Sequence, residues 1–244
     1  MKFYIPLMET RKTWLESVFT SYQETAIPLV ANAGDTSSPS FRFADDLGLY
    51  WMLPWLGKTF DMSFSQAFLG LYITIVTLAF IISAWGLFRL CSHPWVRGLS
   101  ILGVGASLYY FLFMVGDVYF FSAAFCFAMA PWVAISLQND QWRSKFFITV
   151  LLSSLAIGFL LTLRRDASIS LILLWIMVFI LKPQGSFKLR GLSLLVLLSG
   201  ISIPQFLFQQ AIKDRNEYLL SHGVSENQLL DSHPFWHQIY IGLG

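Results

Sequence analysis

The stretch that decides the fold is residues 97–140, which read RGLSILGVGASLYYFLFMVGDVYFFSAAFCFAMAPWVAISLQND. Asp117 is the one charged residue between Arg97 and Asp140, and every other position there is apolar, small or neutral polar. A run of this length and composition must be surrounded by lipid or by other protein segments. It therefore predicts membrane-spanning helices and not a water-soluble domain.

The composition of the whole chain agrees with this interpretation. The 244 residues are 56% hydrophobic and 12% charged, whereas a soluble domain carries about 25% charged residues. The formal net charge is +2, and the Lys and Arg residues stand at the ends of apolar runs. Because a nucleic-acid binder needs a basic stripe, we expect no nucleic-acid partner. The two cysteines, Cys91 and Cys126, lack metal-site or disulfide spacing, so we expect them to serve packing.

The charged residues divide the chain into predicted spans. About 20 residues at 1.5 Å rise cross the hydrocarbon core, and the backbone must be helical there because no water is available for hydrogen bonding. The sequence therefore predicts an all-α fold, a polytopic transmembrane helical bundle with about six spans. Small residues such as Gly103, Gly105, Ala106 and Ser107 would permit close helix contact. The predicted spans are 66–88, 98–116, 118–138, 146–163, 167–181 and 191–210.

Basic residues in the short loops predict the orientation. One alternate set of loops holds seven of them and the other holds two, Arg164 and Arg165. Lys and Arg accumulate in cytoplasmic loops, so the larger set is predicted to be cytoplasmic. We then expect an extracytoplasmic segment over 1–65, the bundle over 66–210 and an extracytoplasmic tail over 211–244, in a multi-pass protein of the bacterial inner (cytoplasmic) membrane. The seven residues are Arg89, Arg97, Arg143, Lys145, Lys182, Lys188 and Arg190.

An external N-terminal segment normally follows a helix or signal that carries it across the membrane. No such segment precedes residue 66, and a new apolar run begins at 241–244. We therefore expect a fragment of a longer membrane protein. The alternative is an inverted topology with a cytoplasmic N-terminal segment.

The candidate chemistry begins in FRFADDLGLY, residues 41–50. Asp45 and Asp46 are adjacent carboxylates ahead of an aromatic segment that contains Pro54. This places Tyr50 in the lipid headgroup zone, where we expect it to contribute to substrate binding. Such a pair is suited to act as a general base or to bind a divalent metal ion. A solvated loop or a helix N-cap is the alternative.

Further candidates lie on the same predicted side of the membrane. Asp117 occupies a predicted turn at the mouth of the bundle, where a lone carboxylate indicates function but an Asp beside Gly is also ordinary turn chemistry. Arg164 and Arg165 suit a phosphate group, with contact to lipid headgroups or to Asp166 as the alternative. His233 and His237 in the tail are candidates for substrate binding, and their spacing also allows metal binding, although Pro234 disfavours a regular helix there.

Together, the acidic pair, the aromatic segment through Trp55, the second acidic position at Asp117 and the many short-looped helices resemble GT-C type membrane glycosyltransferases. These are polyprenyl-phosphate-sugar-dependent enzymes, and they include mannosyl- and aminoarabinosyl-transferase-like proteins. The resemblance covers residues 41–210. It implies a membrane-embedded lipid-linked sugar donor as a partner.

The resemblance also implies roles for individual residues. Asp45 or Asp46 would deprotonate the acceptor hydroxyl or bind a metal, and Asp117 would assist or hold a cation. Arg164 and Arg165 would neutralise the departing lipid phosphate. Two alternatives stay open: a carrier or flippase for lipid-linked saccharides, and an inactive fragment of a larger membrane protein.

Overall fold

The computed structural model describes residues 9–33, 41, 47–115, 117–138, 144–163, 168–181, 187–226 and 229. No described residue lies in a β-strand, and the all-α prediction is confirmed. A π-helical segment at Phe111–Val115 follows α4 directly. The α-helices are α1 (Glu9–Thr25), α2 (Leu47–Phe60), α3 (Phe64–Leu90), α4 (Pro94–Tyr110), α5 (Asp117–Gln138), α6 (Ser144–Leu163), α7 (Ile169–Leu181) and α8 (Phe187–Ser221).

The predicted spans correspond in order to helices α3 to α8. Among the described residues, four helices are long and apolar enough to cross a membrane: α3, α4 with part of the π-helical segment, α6 and α8. The apolar parts of α5 and α7, at Phe120–Ser136 and Ile169–Ile180, are shorter. Large apolar side chains such as Leu102, Ile180 and Phe206 are at least 70% exposed. The chain is thus a membrane protein whose apolar helices contact lipid.

The structure divides into two compact units. The first, called the span unit here, takes its described residues from 70–161 and 168–205. The second, called the terminal unit, takes its described residues from 9–69, 162–163 and 206–229. The terminal unit therefore combines residues from both flanking segments that the sequence presents as separate.

In the span unit, small residues allow α6 and α8 to approach closely. A Cβ added at Gly158 would lie 2.6 Å from the carbonyl oxygen of Ile201, and one added at Gly200 would overlap the hydroxyl of Ser154. Gln205 Nε2 donates a hydrogen bond to the carbonyl oxygen of Gly158 over 2.9 Å. In lipid, such close packing and interhelical hydrogen bonds hold helices together.

The prediction of close contact at Gly103 is wrong. A Cβ at Gly103 would meet no atom within 4 Å, and one at Gly105 would meet only the ring of Phe80, at 3.4 Å. Both residues lie on α4, whose one buried residue is Leu108. Small size permits close approach, but a neighbouring helix must face the same side.

In the terminal unit, α1 packs on α2 through an apolar stripe. Leu15, Val18 and Phe19 are buried and recur at helical spacing, as expected for one face of a helix. The ring of Phe19 fills the space beside Gly57 of α2, where a Cβ would overlap it. This stripe is interrupted along the sequence by charged and hydroxyl residues that face away.

The C-terminal end of α8 is fixed by a Schellman motif. Gly223 has φ +82°, and its N–H donates to the carbonyl of Leu220, while Val224 N–H donates to that of Leu219. Val224 also packs on the cluster that contains Leu219 and Val30. The segment after α1 is thereby joined to the end of α8.

The contact between α6 and α8 yields a prediction. Gly158→Ala forces a methyl group against the backbone of Ile201, so we expect it to destabilise the protein by about 1–3 kcal/mol. The measurement is the apparent melting temperature of the protein purified in detergent. The matched control is Gly103→Ala, which has open space around it. Equal melting temperatures for the two variants would contradict the described packing.

Candidate functional site

The first turn of α2 contacts the last turn of α6. Leu47, Gly48 and Leu49 are buried at the start of α2. A Cβ added at Gly48 would overlap the carbonyl oxygen of Thr162 and lie 2.8 Å from the backbone nitrogen of Leu163. The two backbones therefore approach closely, and glycine is required at this contact because any side chain would force them apart.

This contact involves the residues that flank two predicted functional pairs. Asp45 and Asp46 directly precede Leu47 in the sequence, and Arg164 and Arg165 directly follow Leu163. All four lie outside the described residues. The described ends of these two chain segments, however, pack against each other in the terminal unit.

Tyr50 is the predicted site residue whose side chain the structure describes. It is 5% exposed and lies in the buried face of α2, so a substrate contact through Tyr50 would need an internal site. Its neighbour Trp51 packs against Phe208 with ring centroids 5.8 Å apart. Trp55, one turn after Trp51, is 47% exposed.

The other predicted candidates are described only in part. Asp117 begins α5 after the π-helical segment, and its side chain lies outside the description. A single π-helical turn often marks a functional position in a helix. His233 and His237 lie outside the described residues. Within the described part of the chain, no group of three His, Cys, Asp or Glu side chains is arranged to hold a metal ion.

A polar cleft on α1 was missed by the sequence analysis. It has a volume of about 940 Å³, which lies within the roughly 300–1,000 Å³ of typical ligand sites. Glu16 and Glu24 supply exposed carboxylates two helical turns apart, and neither forms an ion pair with a described residue. The signal in the sequence is the recurrence of hydroxyl and carboxylate residues at helical spacing opposite the apolar stripe. The cleft is lined by Thr13, Glu16, Ser17, Thr20, Ser21, Glu24 and Asn32.

Polar side chains hold the helix that carries this cleft. Lys58 Nζ of α2 donates to the carbonyl oxygens of Tyr22 and Gln23 over 3.4 and 3.3 Å. The Tyr22 carbonyl oxygen also accepts from the N–H of Ala26, and the Lys58 cation beside this last turn interacts favourably with the negative end of the helix dipole. Gln23 Nε2 donates in return to the carbonyl oxygen of Pro54 over 3.1 Å. These bonds tie the C-terminal end of α1 to α2.

Arg215 is a buried cation on α8 in the same unit. Its side chain is 0% exposed, and Nε and Nη2 donate to Asn216 Oδ1 over 2.9 and 2.8 Å. A buried guanidinium is costly unless its hydrogen bonds are satisfied, and Asn216 supplies the acceptor for two of its nitrogens. The sequence analysis assigned Arg215 to an external tail and did not predict its burial.

The hydroxyl of Tyr22 in the terminal unit is affected by the carboxylate of Asp214. Burial raises the pKa of the Tyr22 hydroxyl above its ordinary value of 10.0, and the Asp214 carboxylate raises it further. The neutral phenol is thus favoured in the folded protein, and the shift is greater than burial alone would cause.

We expect this shift to make stability depend on alkaline pH. The folded state holds the Tyr22 proton more tightly than the unfolded state, so the free energy of unfolding decreases as the pH rises above 10.0. Tyr22→Phe should weaken this decrease, and Asp214→Asn should weaken it in part. Melting temperatures measured from about pH 8 to pH 11 test this, and parallel curves for the wild type and Tyr22→Phe would refute it.

Comparisons of the chain with protein-family models, with curated proteins and with solved structures give no match.

Proposed function

We propose that this chain is a membrane glycosyltransferase that moves a sugar from a polyprenyl-phosphate donor to an acceptor on the extracytoplasmic side of a bacterial cytoplasmic membrane. The observation that supports it best is the contact of Gly48 with Thr162. That contact joins the two chain segments next to which the acidic pair and the arginine pair stand in the sequence. General base and phosphate ligand are both needed at one reacting centre.

The proposed reaction is a substitution at the anomeric carbon. The acceptor oxygen forms a bond to this carbon while the bond from carbon to the phosphate oxygen breaks. Asp45 or Asp46 takes the proton of the acceptor hydroxyl. Arg164 and Arg165 donate charge-assisted hydrogen bonds to the departing phosphate. The resemblance gives Asp117 a supporting role, to assist or to hold a cation.

The polar cleft on α1 supports the acceptor side of the proposal. Its carboxylates and hydroxyls accept and donate hydrogen bonds, which suits a molecule with many hydroxyl groups. The exposed apolar surface of the membrane helices supports a donor carried on a lipid. Both features are compatible with transfer at the membrane surface.

Activity of variants tests the proposal. The full chain is reconstituted into liposomes with polyprenyl-phosphate mannose or, in parallel, polyprenyl-phosphate aminoarabinose, together with a cell-envelope extract as the source of the acceptor. The acceptor-dependent release of polyprenyl phosphate is measured. Asp46→Asn or Asp45→Asn should lower the rate roughly 100-fold or more because the general base is lost. Arg164→Gln with Arg165→Gln should lower it by roughly 100-fold or more because the leaving group loses its donors.

The control for charge is Asp61→Asn. Asp61 is an exposed residue between α2 and α3 with φ +52°, a conformation that Asn also adopts readily. This variant should keep full activity. Movement of the intact lipid-linked sugar across the bilayer without release of polyprenyl phosphate would instead indicate a carrier.

The proposal requires the terminal unit to face outward. In a Cys126→Ser background, Thr20→Cys places a thiol at an exposed position on α1. A membrane-impermeant maleimide added to intact cells should label position 20 and leave native Cys91, in the predicted cytoplasmic turn, unlabelled. The reverse pattern would place the acidic loop in the cytoplasm and remove the basis of the proposal.

A further inference from the structure

A groove lies in the span unit between the middle parts of three helices. Its lining residues come from 75–82 of α3, 125–129 of α5 and 152–159 of α6, and all of them are apolar. Each of these stretches lies near the centre of its helix. The groove has a volume of about 330 Å³, which is at the lower end of the roughly 300–1,000 Å³ of typical ligand sites.

Three alanines, one from each helix, leave the space that forms the groove. Ala79, Ala128 and Ala156 line it and are buried, so their methyl groups form its floor. On α3 and on α6 the lining residues recur at positions i, i+3, i+4 and i+7, which share one face of a helix. The bulkier residues of each face therefore stand beside the alanine and form the walls.

Contacts between the helices fix the groove at both ends. At one end, the rings of Phe125 on α5 and Phe159 on α6 pack edge to face with centroids 5.7 Å apart. At the other end, Trp132 Nε1 of α5 donates a hydrogen bond to the carbonyl oxygen of Ile82 on α3 over 3.0 Å. The groove is therefore part of the packed structure of the span unit.

The groove is open toward the lipid. Leu78 of α3 and Leu152 of α6 line it, and each is 51% exposed. Both helices are long and apolar enough to cross a membrane, so the rims are continuous with the surface that contacts lipid. Water is absent from the hydrocarbon core, and no lining side chain carries a hydrogen-bond donor to retain it. The groove therefore suits an apolar chain.

We propose that the groove holds the acyl chain of a bilayer phospholipid. A chain inside it gains dispersion contacts with three helices. Half of the hydrocarbon core is about 15 Å thick, so a chain that begins at either headgroup layer reaches the middle of the helices. Acyl chains make up the surrounding medium, so mass action favours them over scarcer apolar molecules. This site is independent of the proposed sugar transfer.

Photocrosslinking of the full chain tests the proposal. The protein is reconstituted into liposomes that contain phosphatidylcholine with a diazirine at the end of one acyl chain, and the labelled residues are identified by mass spectrometry. Leu102, which is 71% exposed near the middle of α4, is the reference for ordinary contact with lipid. We expect labelling of 125–129 and 152–159 to exceed that of Leu102 roughly fivefold because the chain is held on three sides.

Two variants of α5 separate occupancy of the groove from a general change in the helix. Ala128→Leu places a larger side chain in the groove and should lower its labelling roughly fivefold. Ala130→Leu makes the same change at an exposed position of the same helix and should leave the labelling unchanged. Leu152→Ala removes part of an exposed rim and should also lower the labelling of the other groove residues, so the test remains decisive if Ala128→Leu does not fold.

The proposal also excludes other occupants of the groove. Unlabelled polyprenyl phosphate, added in an amount equal to the diazirine lipid, should leave the labelling unchanged, and so should a higher ratio of protein to lipid. A loss of labelling in the first case would assign the groove to an isoprenoid chain, and in the second case to another copy of the protein. Either result, equal labelling of the groove and Leu102, or equal effects of Ala128→Leu and Ala130→Leu would overturn the proposal.

Discussion

The structure depends first on the absence of water in the hydrocarbon core of the membrane. Each backbone N–H and C=O there must find its partner within the same helix, so the spans are helical whatever their side chains prefer. Apolar burial then contributes little to helix association, since lipid tails are as apolar as leucine. In the span unit, α6 and α8 are instead held together by close backbone packing at Gly158 and Gly200. The hydrogen bond from Gln205 to the Gly158 carbonyl adds to this contact.

Among the described residues, most of the charged side chains lie in the terminal unit. Its hydroxyls, carboxylates and amides close the free ends of helices, as Lys58 does at α1, or line an open cleft. Arg215 is the exception, since it is fully buried and requires polar neighbours such as Asn216.

The sequence predicted the apolar helices because a long uncharged run has one physical solution, and four of the six predicted spans correspond to helices long enough to cross a membrane. It did not predict α1, because polar and charged residues separate Leu15 and Val18 from their apolar neighbours and no long uncharged run marks the helix. It was wrong about Gly103, since composition does not reveal which side of a helix has a neighbour. The approach of Gly48 to Thr162 was beyond its reach because these residues are more than a hundred positions apart. The carboxylates and arginines of the candidate site were found from charge placement alone, and they stay predictions.

The fixed end of α8 bears on which membranes suit the protein. Its uncharged apolar part, residues 191–208, is roughly 27 Å long at 1.5 Å per residue, and the glutamines that follow lead to the Schellman motif at Gly223. A helix anchored in this way has a set hydrophobic thickness and adjusts poorly by sliding. In a thicker bilayer, the lipid must thin around the helix or the helix must become less tilted. Either adjustment costs fractions of a kcal/mol per Å of mismatch. This mismatch would favour residence in thinner membranes.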